Sequence, residues 1–117
     1  MTRILVLDDD QVILDLLQTV LTDAGYDAFL ALSMSAIPEG TNADAIISDL
    51  IPLKAYRRET AVEWVASLRA RFDRSPLLLV TAHADALAEA DMLGASAIIA
   101  KPFDVEVLLA KLDELLA

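Results

Sequence analysis

Five polar side chains stand where short apolar runs stop. Asp8 and Asp9 follow Arg3-Ile4-Leu5-Val6-Leu7, and Asp49 closes Ala45-Ile46-Ile47-Ser48. Thr81 closes Pro76-Leu77-Leu78-Leu79-Val80, and Lys101 follows Ser96-Ala97-Ile98-Ile99-Ala100. A carboxylate at the end of such a run serves as a nucleophile, a metal ligand or a helix cap. Taken singly, these residues have plain structural roles: Asp caps helices, Thr suits strands and Lys before Pro is solvated. Brought together, they could do one kind of chemistry. Clustered carboxylates raise one another's pKa unless a cation sits among them. Hard oxygen donors of this type suit Mg2+, which keeps waters and recruits phosphate oxygens. With such an ion held by Asp8 and Asp9, Asp49 could attack a phosphoryl group. Thr81 and Lys101 would then offer a hydroxyl and a positive charge to the phosphoryl oxygens. Transfer to a carboxylate needs no general base.

That chemistry requires the runs to be strands whose carboxyl ends share one edge. The spacing predicts a helix after the first run, with Ile13, Leu16, Leu17, Val20, Leu21 and Ala24 on one apolar face and Gly25 closing it. Ala28–Leu32 reads as a second strand. Ser33–Asn42 can hold only a turn or two of helix, limited by Pro38 and Gly40. After Asp49 the chain turns at Pro52 into a polar loop, residues 50–59, that carries Lys54, Arg57 and Arg58. Thr60-Ala61-Val62-Glu63 has the spacing of a capping box and predicts a helix with Ala61, Val65, Leu68 and Phe72 inward and Trp64 beside them. Ala84–Leu93 predicts one helix stopped at Gly94. Asp104 is placed to cap a last helix through Val105, Leu108, Leu109, Leu112 and Leu116. Strands alternating with helices over short connections predict a doubly wound α/β fold: a five-stranded parallel sheet flanked by helices on both faces. Strands covered on both faces read as apolar runs, as these do.

The chain of 117 residues is sized for one domain, 1–117, and 56% of it is hydrophobic, which excludes a disordered segment of this length. No apolar run reaches the roughly 18 residues of a membrane span, and Asp8-Asp9-Asp10 cuts short the one that begins at Ile4. A net charge of −10 argues against direct nucleic-acid binding and suits cations or basic partners. With no cysteine there is neither a disulfide nor thiolate chemistry, which fits a cytoplasmic protein.

The segments Val6-Leu7-Asp8-Asp9-Asp10, Ile47-Ser48-Asp49, Val80-Thr81-Ala82 and Lys101-Pro102-Phe103 resemble, in order and spacing, the signature positions of two-component response-regulator receiver domains (the CheY-like, flavodoxin-like fold). The resemblance implies that Asp49 is the phosphoacceptor, that Asp8, Asp9 and Asp49 hold Mg2+ with the backbone carbonyl of Ile51, and that Thr81 and Lys101 contact the phosphoryl group. It implies a cis Lys101–Pro102 peptide and a sensor histidine kinase or histidine phosphotransfer protein as the donor. The downstream partner would be an effector protein or an output domain outside this chain. It also places Ile51 and His83, each two residues past a site residue, along the line of water attack.

The departures from that pattern are specific. Proline falls at 52, one position early, and no glycine follows before Thr60. Ile98 stands where receivers carry the switch aromatic, so a threonine–aromatic relay of the usual kind is absent. Three functions are in competition: a phosphorylatable switch of protein interactions, a pseudo-receiver that docks without phosphorylation, and a phosphohydrolase with an aspartyl intermediate. The intact acidic pair, Asp49, Thr81 and Lys101 favour the first. Ile98 and the altered loop favour the second, and Ile51, where such hydrolases commonly place a second acid, counts against the third.

Overall fold

The apolar runs form strands, and their alternation sorts side chains onto two faces. A computed structural model describes residues 1–51 and 54–117. The strands are β1 (Arg3–Leu7), β2 (Asp27–Ala31), β3 (Ala45–Ser48), β4 (Leu77–Thr81) and β5 (Ala97–Ala100). They form one parallel sheet in the order β2-β1-β3-β4-β5. The helices are α1 (Gln11–Asp23), α2 (Arg58–Arg71), α3 (Ala84–Leu87), α4 (Ala90–Leu93) and α5 (Val105–Leu116).

Successive strand residues point to opposite faces. Leu5, Leu7, Ile46, Leu77 and Leu79 meet Ala61, Val65 and Leu68 of α2 on one face. Ile4, Val6, Ile47, Leu78 and Val80 meet α1 and α5 on the other, through Leu14, Leu17, Leu21, Leu108 and Leu112. Each fully buried leucine or isoleucine contributes about 1.5–3 kcal/mol against conformational entropy. The three central strands are buried throughout except for Arg3, whereas β2 and β5, each with one neighbour, are mostly half-exposed.

The ends of the elements show where local rules held. Asp10 caps α1 by accepting the Val12 N–H at 2.9 Å, and Gly25, at φ 91°, ends it in the left-handed conformation that glycine adopts without strain. Asp104 caps α5 through the Glu106 N–H at 2.8 Å. The segment between β2 and β3 holds one 3-10 turn, Met34–Ala36. The Arg71 guanidinium donates there to the carbonyls of Met34, Ile37 and Pro38.

Several local expectations are corrected. The buried face of α1 is Leu14, Leu17 and Leu21, while Leu16 is 42% exposed and Ala24 lies outside. Apolar residues at 12, 13, 14, 16, 17, 20 and 21 make so wide an arc that only packing on the sheet selects its centre. The Thr60–Glu63 capping box is not formed, because α2 already begins at Arg58 and Thr60 lies within its first turn. The helix expected over Ala84–Leu93 is two four-residue helices that meet around Glu89. Gly94, at φ 81°, ends the second as anticipated. The second strand runs one residue earlier than the hydropathy suggests. The turn expected at Pro52 lies outside the described residues. No helix among the described residues is long and apolar enough to cross a membrane.

Between β1 and β3 the strand order reverses, since the chain leaves β1 for β2 on one side and then returns to β3 on the other. Open α/β sheets open a crevice at that point, outside the carboxyl ends of the strands. Asp8 and Asp9 follow β1, and Asp49 follows β3.

Candidate functional site

Each site residue is held by the main-chain ladder that precedes it. The Asp8 N–H bonds the Ala31 carbonyl at 3.2 Å, and the Asp49 N–H bonds that of Leu7 at 2.9 Å. The Lys101 N–H bonds the Thr81 carbonyl at 2.8 Å, and the Lys101–Pro102 peptide is cis. These bonds carry the strand register one residue past each strand end. They bring Asp8, Asp9, Asp49, Thr81 and Lys101 to the same edge.

Asp8 is 3% exposed and accepts twice: from the Asp10 N–H at 2.9 Å and from Lys101 Nζ at 2.7 Å. Lys101 Nζ also lies 3.4 Å from Asp49 Oδ2, so one ammonium bridges two carboxylates. Asp9, the next residue along, is exposed. One carboxylate oxygen from each of Asp8, Asp9 and Asp49 lies within 4.8 Å of the others. Three carboxylate oxygens this close form an all-oxygen set of the kind that suits a hard divalent cation such as Mg2+. Lys101 compensates one of the three negative charges and leaves the rest for a cation.

Burial pushes the Asp49 carboxyl above its ordinary range; Lys101 pulls it back, and the neighbouring Asp8 charge raises it further. For Lys101, burial favours the neutral amine, but the hydrogen bond it donates to Asp8 and the charges of Asp49 and Asp8 outweigh it, and its pKa is raised. Burial, reinforced by the neighbouring Asp8 charge, thus makes ionised Asp49 costly, while the ammonium stays charged.

Thr81 is fully buried, and its Oγ1 accepts the His83 N–H at 3.0 Å. His83 is half-exposed at the start of α3, its ring 6.4 Å from that of Tyr56 with the planes tilted by 40°. Ile51 is half-buried and packs on the core beneath α2. Ile98 packs on the same core and pairs with Leu79 of β4.

Two connections at the site join residues that sequence reasoning leaves separate. The Trp64 indole N–H donates to Ser48 Oγ at 2.9 Å, and that hydroxyl donates to the Asp49 carbonyl at 2.7 Å. Ser48 carried one signal, because a hydroxyl in a run buried on both faces needs a partner. Around Glu89, the Tyr56 hydroxyl donates at 2.6 Å and the Arg58 guanidinium at 2.8 and 3.0 Å. Burial and the Glu89 hydrogen bond push the Tyr56 hydroxyl up to about 12, while Arg58 and Tyr56 hold the Glu89 carboxyl down at about 2. Partners 31 and 33 residues apart leave no local pattern to read.

Comparison with known proteins matches residues 4–113 to the family described as response regulator receiver domain. The chemotaxis response regulator CheY4 of Vibrio cholerae is 28% identical, with a TM-score of 0.79 and 98% of each chain covered. A CheY-like receiver domain protein from Methanospirillum hungatei JF-1 is 27% identical, with a TM-score of 0.77 over 99% of this chain and 94% of that one. A response regulator from Thermotoga maritima shares the fold at a TM-score of 0.83 and 16% identity, over 99% of this chain and 98% of that one. No curated protein sequence matches. The family match takes in β2 to β5, all of β1 but Arg3, and the carboxyl ends of all five strands, and on that ground the chain belongs to the response-regulator receiver domain family.

Proposed function

We propose that this receiver accepts a phosphoryl group on Asp49 from a phosphohistidine of a sensor kinase or phosphotransfer protein, and thereby switches its contacts with a downstream effector or output domain. The observation that carries the reading is the grouping of three carboxylates within 4.8 Å, with Lys101 beside two of them. An Asp49 oxygen forms the new P–O bond as the P–N bond of the donor breaks; the imidazole leaves with the electron pair and takes a proton. Asp8, Asp9 and Asp49, with the Ile51 carbonyl, would hold Mg2+, which when bound neutralises charge on the phosphoryl oxygens. Lys101 offers its ammonium to one of those oxygens. Thr81 would donate its hydroxyl proton to another while its oxygen keeps the His83 N–H, drawing the start of α3 with it. Ile98 and His83 would tune how far that change spreads and how long the acyl phosphate lasts. The acidic surface and the absence of cysteine support a cytoplasmic setting and a partner other than nucleic acid.

Acetyl phosphate with magnesium is the direct test. Wild type is expected to take one base-labile phosphoryl group per chain, whereas Asp49→Ala or removal of magnesium abolishes labelling. Equal labelling of wild type and Asp49→Ala would overturn the assignment, and no labelling of either would leave a phosphorylation-independent docking module.

A further inference from the structure

Asp49 lies just past the end of β3, where the pairing of β3 with β4 stops at Ser48 and Leu79. Its N–H is held by Leu7, and its carbonyl is held by the hydroxyl of the preceding residue. That hydroxyl has no freedom of direction. An indole N–H can only donate, so Trp64 occupies the acceptor side of Ser48 Oγ and the single Ser48 proton goes to the Asp49 carbonyl. Ser48 is fully buried, and hydrogen bonds in a low-dielectric interior strengthen one another. Trp64 sits on α2, which is anchored in the core by Ala61, Val65 and Leu68. The chain of bonds therefore ties the main chain of Asp49 to a rigid helix 16 residues away. It bypasses the long loop between them.

We propose that Trp64 and Ser48 are positioning residues for the Asp49 carboxylate, the indole N–H acting through the Ser48 hydroxyl to fix the Asp49 peptide. This rests on Asp49 being the phosphoacceptor. Rotation of that peptide swings the carboxylate relative to Asp8, Asp9 and Lys101, and displacements of about 1 Å cost up to a hundredfold in reactions that need alignment. The relay also explains how an altered loop after Asp49 is compatible with a site of ordinary composition. Trp64 is the sole tryptophan of the chain, so its indole signal reports on this bond alone.

The test uses the full chain and two independent readouts. In the unphosphorylated, metal-free protein, the Trp64 indole N–H is expected to exchange slowly with solvent and to shift when magnesium is added. Ser48→Ala is expected to speed exchange and remove the shift, and Ser48→Thr, which keeps the hydroxyl, to restore both. In acetyl phosphate labelling, Trp64→Phe and Ser48→Ala are each expected to slow the reaction about tenfold or more. The double variant should be no slower than either, because the two act as one unit. Folding of each variant is followed by circular dichroism, and Trp64→Phe retains the ring that fills the site. Unchanged labelling rates in well-folded single variants, additive losses in the double variant, or an indole signal indifferent to magnesium would overturn the proposal. If wild type takes no label, the reading of Asp49 as phosphoacceptor fails, while the indole signal still decides whether the relay senses the acidic cluster.

Discussion

At the scale of single residues, the site is a balance between repulsion and one shared cation. Lys101 bridges Asp8 and Asp49, and Asp8 is nearly inaccessible to water. Removing one partner of a buried ion pair leaves the other charged in a poor solvent, at a cost of about 3–5 kcal/mol. Lys101 retains 18% exposure, so Lys101→Met is expected to destabilise the metal-free protein by about 3 kcal/mol, the low end of that range, in urea unfolding. Asp49 has the opposite sign. Its folded pKa is raised, so its contribution to stability is present below the unfolded value and lost as pH rises through the folded one. At neutral pH its charge is therefore a liability. Asp49→Asn is expected to raise the melting temperature of the metal-free protein at pH 7 and to lose that advantage near pH 4. A variant less stable than wild type at pH 7 would contradict the raised pKa.

At the scale of elements, the loop entering α2 and the pair α3–α4 are joined through Glu89. Helices of four residues do not persist alone in water, since nucleation costs more than one turn returns. Tyr56 and Arg58 supply an external anchor at the break between them. Glu89 is held at about 2, so its contribution is present above its unfolded pKa of about 4.3 and is lost as pH falls through about 2. Glu89→Gln is expected to accelerate amide hydrogen exchange across residues 84–93 while leaving β1 and α5 protected. Raised salt should have a smaller effect in the same direction, because Arg58 is half-exposed and screened. Uniform acceleration over the whole chain would mean that the contact supports global stability rather than this segment. Two of the local misreadings, the capping box and the single helix, fall at the two ends of this contact.

For the whole molecule, an excess of acidic residues and an acidic crevice at the strand-order reversal favour cation binding in the folded state only. Magnesium at ten times its dissociation constant should add about 1.4 kcal/mol by linkage. In a chain of this size that raises the melting temperature by roughly 5 °C. Asp9→Ala is expected to abolish the rise, and since Asp9 is exposed it should do so with little change in the metal-free melting temperature. A response to magnesium undiminished in Asp9→Ala would remove that carboxylate from the ligand set.

The order of elements, the parallel sheet and the site edge were legible in the sequence because they depend on short-range pattern. Apolar runs bounded by polar residues define strands, Gly25 and Asp104 mark helix ends, and in a parallel sheet all strand ends face one way. The convergence of Asp8, Asp9, Asp49, Thr81 and Lys101 on one edge followed from that geometry. What local pattern could not contain was any preference set by a distant partner. The centre of the α1 face was chosen by the sheet, the start of α2 and the break before α4 coincide with Glu89, and the state of the Asp49 carboxyl depends on how deeply it is buried beside Lys101 and Asp8. The bond from Trp64 to Ser48 belongs to the same class, since an indole and a hydroxyl 16 residues apart become partners only when a helix is laid across a strand. Propensity acts over a few neighbours, whereas desolvation and hydrogen-bond direction act through space, and only the folded chain specifies them.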